Sequence, residues 1–200
     1  MARIAVAASS AELACEAERA DEAADYLTRH EAATVQRLTV ASVLVAAATS
    51  VAGVFLSTSS ARAAPQDAVA IGGGALTVGL GLGSLYVHRE VEFIHPRNLL
   101  ADIWNGPGIS TAYPPPVWGY LTRSEFSNDQ IQPIRERIVA RWRKFETVEN
   151  VPSMVAILFG AGGRYDAATL RARAAMLGQV KAEVDLENQE LAALATELQR

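Results

Sequence analysis

The chain has 200 residues, half of them hydrophobic but only 6% aromatic, and a formal net charge of −4. That length fits one ordinary domain or a membrane hairpin with a modest water-facing part, and the acidic balance gives no overall drive towards nucleic acid. With Cys15 the single cysteine, an intramolecular disulfide is excluded and a cysteine-based metal site is disfavoured.

The opening residues MARIAVAASS lack the long apolar stretch of a secretory signal. "SAELAC" places small residues before Cys15 as a bacterial lipoprotein cleavage box does, but Glu12 stands where that pattern has an aliphatic residue. An outer-membrane lipoprotein anchored through Cys15 is therefore a secondary alternative. From Ser10 to Gln36, Ala and Glu dominate without Gly or Pro, and Leu13, Ala17, Ala20, Ala24 and Leu27 fall along one side. This pattern predicts an amphipathic helix with an acidic outer face, and residues 1–37 form the first division of the chain.

Leu38 to Leu56 carries no charge and is long enough at helical rise to cross a hydrocarbon core. Ala68 to Val87 is uncharged as well, and the polar STSSARAAPQD lies between them. Residues 38–87 therefore read as a transmembrane helical hairpin. The stretch IGGGALTVGLGLGSL contains six glycines, each costing an isolated soluble helix about 1 kcal/mol relative to Ala. In lipid, small residues let helices approach closely. Ala75, Gly79 and Gly83 form one stripe of this kind, and Thr49, Gly53 and Ser57 form another. Neither a phosphate-binding loop nor a dinucleotide fingerprint fits, because no Lys-Ser or Lys-Thr follows the glycines and the G-x-G-x-x-G spacing is absent. Arg29 and Arg37 before the first span, and Arg89 and Arg97 after the second, outnumber Arg62 in the connecting turn, which places both termini in the cytoplasm.

Residues 88–127 read as an irregular connector rich in proline and aromatics. Pro96 can begin a short helix bearing Leu99, Leu100, Ile103 and Trp104, which NGPG then breaks. YPPPVWGYL is expected to be extended, with Tyr113, Trp118 and Tyr120 packing on the same chain or lying at headgroup level.

Residues 128–200 read as a helical C-terminal module. Asn128 to Glu149 forms an amphipathic helix, provided Pro133 falls in its first turn. Ile131, Ile134, Ile138, Trp142 and Phe145 make its apolar stripe. Arg137, Arg141 and Lys144, with Trp142, are candidates for contact with anionic headgroups, the alternative being a core-facing stripe with a solvated charged back. The final helix shows the strongest periodicity, with Leu170, Leu177, Val184, Leu191 and Leu198 recurring every seven residues. Arg173 and Glu187 interrupt the second seam row, and Asp166 is the expected N-cap. The heptads serve either core packing within one chain or association between chains.

No metalloprotease, C-x-x-C, nucleophile-elbow or Walker pattern is present. Glu92 and His95 have the spacing of a carboxylate-bridged metal site, but the second such pair is absent. No catalytic, cofactor-binding or metal-binding residue is assigned. The sequence thus predicts a mainly α, non-enzymatic membrane scaffold or assembly subunit of the bacterial cell envelope. Its partners would be lipid and either further copies of itself or another membrane protein, with no nucleic acid. The alternatives are a pore-forming or membrane-permeabilising helical effector, which liposome leakage would reveal, and a soluble helical partner-binding module, which would survive a carbonate wash in the soluble fraction.

Overall fold

The structure is a computed structural model that describes residues 2–58, 89–128, 130–145 and 152–198, with side chains omitted from 45 to 58 and at 145. The protein is mainly helical, as its sequence predicts. Backbone contacts divide it into two units, Met1–Asp25 with Glu90–Arg200, and Tyr26–Arg89.

Helix α1 runs from Ala2 to Thr58. Within the first unit, Val6, Leu13 and Ala20 recur every seven residues on its inner side and all are fully buried. Strand β1 (Val91–Ile94) follows, then α2 (Leu99–Asn105) and α3 (Pro115–Thr122) with a 3-10 turn at Ser124–Phe126. Helix α4 (Ile134–Phe145), α5 (Pro152–Phe159), β2 (Gly162–Tyr165) and the 31-residue α6 (Ala167–Glu197) complete the order.

The two strands form a short antiparallel ladder, with Val91 opposite Tyr165 and Ile94 opposite Gly162. Gly162 holds φ at +105°, and a Cβ there would collide with the Phe93 carbonyl oxygen, so glycine is required for the strands to meet. Helix α6 begins where Asp166 accepts a hydrogen bond from Thr169 N, the cap expected from sequence. It packs antiparallel to the first half of α1: Ser10 donates to Asp185 and Arg171 reaches Asp25. That register sets Leu13 level with Val184 and Ala20 level with Leu177, so two heptad series in one chain close on each other.

The connector departs from expectation. YPPPVWGYL is extended only as far as Pro114; Pro115 then opens α3. The first turn of a helix needs no amide donors, so consecutive prolines are tolerated there and a proline run can start a helix. Val117, Trp118, Tyr120 and Leu121 are buried in consequence, and Tyr113 stacks on Trp118 with ring centroids 6.0 Å apart. Helix α2 matches its expected position and ends at Gly106 in the left-handed conformation, φ +63°. Pro133 lies just before α4, where its carbonyl accepts from Glu136 and Arg137.

In the second unit, the His30 ring packs at a tilt against Tyr26, centroids 4.1 Å apart, and donates to its carbonyl. Val40, Val43 and Leu44 are exposed. Arg89 N donates to Glu31 Oε1 at 2.8 Å, so the two ends of the intervening stretch lie side by side. Among the described residues no helix is long and apolar enough to cross a membrane. The proposed second span, Ala68–Val87, lies outside the described residues. The first, Leu38–Leu56, is helical, with side chains described only as far as Leu44.

Candidate functional site

Both residues that interrupt the heptad seam of α6 are buried in the first unit. Arg173 has no exposed surface and Glu187 is 6% exposed. Each has recruited a different environment.

Arg173 Nη1 donates to Asn98 Oδ1 and to the Leu158 carbonyl, both at 3.2 Å, and its guanidinium lies 4.0 Å from Glu16. Burial lowers its pKa, yet a guanidinium at neutral pH remains charged. Asn98 serves three elements at once. Its Oδ1 caps α2 through Leu100 N, while its Nδ2 donates to the carbonyls of Leu158 at 2.8 Å and Gly160 at 2.7 Å, where α5 ends. Beside it, His95 Nε2 meets the Tyr165 hydroxyl at 2.7 Å, and that hydroxyl donates to the Ile157 carbonyl. The single hydroxyl proton is then committed, so His95 donates through Nε2 and leaves Nδ1 bare. Burial, with Arg173 and Arg19 adding to it, lowers the His95 pKa to about 4, so the ring is neutral. Arg19 closes the cluster, 4.5 Å above the Phe93 ring and bonded to the Ile94 carbonyl.

This polar centre does structural work. His95 is 5% exposed and Tyr165 fully buried, so a substrate in solvent reaches neither. The centre ties α1, β1, α2, α5, β2 and α6 together. A second polar staple lies at Asp102, whose carboxylate accepts from Ser110 and from the amides of Thr111 and Ala112. Burial pushes its pKa up, but these hydrogen bonds outweigh that and hold it below the ordinary value.

Glu187 lies in different surroundings. It lines a groove of about 550 Å³ between α3 and the end of α6, bordered by Ala2 at the start of α1, with Pro115, Tyr120, Phe126, Leu191 and Leu194. Its Oε2 is buried without a hydrogen-bond partner. Burial, and then the neighbouring Glu190, raise its pKa to about 7. Tyr120 is pushed up to about 12 by burial and by Glu190, Glu183 and Glu187.

Other residues singled out from the sequence fall as follows. Leu170, Leu177 and Val184 are fully buried within their own chain, Leu191 is partly covered, and Leu198 is 79% exposed. The first three are therefore core residues, while Leu186, Leu194 and Leu198 of the C-terminal half present apolar side chains outward. Trp142, expected at a membrane surface, has no exposed surface: its Nε1 donates to Gln179 Oε1 at 3.0 Å and its ring stacks near Phe159. Ile134 and Ile138 of the same stripe are buried with it, the Phe145 side chain lies outside the described residues, and Arg141 and Lys144 stay exposed while Arg137 is half-buried. Ile131 is exposed beyond the helix end. Ala75, Gly79 and Gly83 lie outside the described residues, and Thr49, Gly53 and Ser57 lie on α1 without described side chains. Cys15 is exposed midway along the packed part of α1, so cleavage before it would remove the buried Val6 and Leu13. Among the described residues no group of His, Cys, Asp and Glu could hold a metal ion.

Asn98, Tyr165 and the groove escaped sequence reasoning. The signal available was the break in the seam at Arg173 and Glu187, since a charge at a core position demands a partner or a special environment. Compared with protein-family models, with curated proteins and with solved structures, the chain matches none of them.

Proposed function

We propose that the protein is a non-enzymatic membrane scaffold, in which residues 38–87 form a glycine-rich transmembrane hairpin and the first unit is a rigid module carried on it. The observation that carries this reading is the hydrogen bond from Arg89 N to Glu31 Oε1. Residues 38–87, two uncharged helix-length stretches joined by a turn that carries Arg62 and Asp67, are bracketed by this contact, as a membrane excursion that enters and leaves by the same face must be. From Leu38 to Thr58 the uncharged part of the helix covers about 30 Å at 1.5 Å per residue, close to the thickness of a hydrocarbon core. Val40, Val43 and Leu44 add support, being exposed apolar side chains at the start of that stretch.

Because Leu170, Leu177 and Val184 are used inside the chain, self-association rests on the small-residue stripes Ala75, Gly79, Gly83 and Thr49, Gly53, Ser57. Both termini lie on one side of the membrane, the cytoplasmic side by the arginine distribution. The test is carbonate extraction of membranes followed by light scattering of the detergent-solubilised protein, with the detergent mass subtracted. The expected result is a carbonate-resistant, defined multimer whose mass falls when Gly79 and Gly83 are replaced by Leu. Full release by carbonate would overturn the anchor and favour a soluble partner-binding module. A mass unchanged by the two substitutions would overturn the stripes as the assembly surface.

A further inference from the structure

We propose that the groove between α3 and the end of α6 binds a lipophilic monoamine, a small molecule with one ammonium group and an apolar body. The inference goes beyond the membrane reading, because every residue of the groove belongs to the first unit.

The volume of about 550 Å³ falls within the range of small-molecule sites, which are apolar with few polar groups. Pro115, Pro116, Tyr120, Phe126, Leu191 and Leu194 supply the apolar wall, and Phe126 and Leu194 remain about half exposed, 45% and 53%. Into this wall is set Glu187, 94% buried, with Oε2 lacking any partner. A carboxylate so placed is costly unless something donates to it. The lining residues contain two carboxylates, Glu187 and Glu190, against one guanidinium, Arg123. That balance favours a cation and disfavours an anion. An ammonium at Glu187 would gain a charge-assisted hydrogen bond and would lie beside the rings of Tyr120 and Phe126, which attract cations over their faces. The apolar body would cover Leu191 and Leu194, the side chains on which the α6 seam runs out of partners within its own chain.

The experiment is calorimetric titration of the full chain in lipid nanodiscs with phenethylamine and with its neutral counterpart phenethyl alcohol, empty nanodiscs providing the baseline. Saturable one-to-one binding of the amine is expected, with the alcohol and the Glu187→Gln variant each weaker by about tenfold or more, the usual loss for a charge-assisted hydrogen bond. Glu187→Gln preserves side-chain shape, and an unfolding midpoint no lower than that of the unmodified protein verifies its fold. Leu194→Trp, which fills the groove while keeping the carboxylate, should abolish binding. Equal binding of amine and alcohol would overturn the proposal, as would undiminished binding by Glu187→Gln or no saturable binding at all. Binding of a lysine-bearing apolar peptide where phenethylamine fails would likewise overturn it, in favour of a protein partner.

Discussion

Asn98 Oδ1 accepts a hydrogen bond from Arg173 Nη1 at 3.2 Å while the same oxygen caps α2 through Leu100 N. One side chain thereby satisfies the start of one helix and a buried cation from another. Asn98→Ala removes an N-cap worth about 1 kcal/mol, takes the side-chain donor from the Gly160 carbonyl and leaves the buried Arg173 guanidinium with the Leu158 carbonyl but without its Asn98 acceptor, losses of about 1–3 kcal/mol each where a group goes unpaired. A loss of about 3 kcal/mol in urea unfolding is expected. Arg173→Met should be milder, because it removes the charge together with the need to solvate it. The double variant should depart from additivity by about 1 kcal/mol or more, since the residues share one network. Strict additivity would show that the two act separately.

Two buried groups, His95 and Glu187, pull stability in opposite directions as pH changes. His95, lowered to about 4 by burial beside Arg173 and Arg19, contributes stability that is present above its ordinary 6.5 and is lost as pH falls towards 4. Glu187, raised to about 7 by burial beside Glu190, contributes stability that is present below its ordinary 4.5 and is lost as pH rises through 7. Arg123 also lines the Glu187 groove, and it lies within the same balance. Between about pH 4.5 and 6.5 the two slopes oppose each other. Glu187→Gln should therefore expose a protein that weakens on acidification, and His95→Gln one that strengthens. Unfolding midpoints across that range check this; slopes of the same sign in both variants would contradict it.

Two glycines of the first unit respond oppositely to alanine. Gly178 lies inside α6 with nothing within 4 Å of an added Cβ. Gly178→Ala should stabilise by about 0.5–1 kcal/mol through helix propensity. Gly106 holds φ at +63° beneath the Arg135 guanidinium, which bonds to the Ile103 carbonyl. Gly106→Ala should destabilise by about 1–2 kcal/mol from the left-handed conformation alone. Thermal unfolding of the two variants decides the matter.

Trp142 should behave as a core residue. Trp142→Ala is expected to cost about 3–5 kcal/mol, whereas Arg141→Glu should stay within about 0.5 kcal/mol. Vesicles of anionic lipid should leave the stability and fluorescence of the Trp142 ring unchanged. A blue shift of that tryptophan on adding such vesicles would contradict its burial against α6.

The helices were legible in sequence wherever periodicity and caps agreed. Asp166, the seven-residue spacing of α6, Pro133 and the break at Gly106 all mark ends or faces that the fold uses. The apolar face of α1 was visible from Leu13 to Leu27, but its match to α6 was not, since a heptad pattern names a partner face and not the chain that supplies it. Proline-rich residues 114–116 misled because the same composition suits an extended run and a helix start, and tertiary burial of Trp118 and Leu121 decides between them. The Asn98 hub joins residues more than 60 positions apart, beyond any local pattern.

The membrane anchor is tested most directly by the surroundings of residue 43 compared with residue 15, both exposed on α1. An environment-sensitive nitrobenzoxadiazole label would be attached to the native Cys15 in one preparation, and to Val43→Cys in a Cys15→Ser background in another, each reconstituted in vesicles. The account predicts that the label at 43 shifts to the blue and is quenched by spin-labelled lipid, while the label at 15 keeps its aqueous spectrum. Aqueous spectra at both positions, with no quenching from lipid, would contradict it.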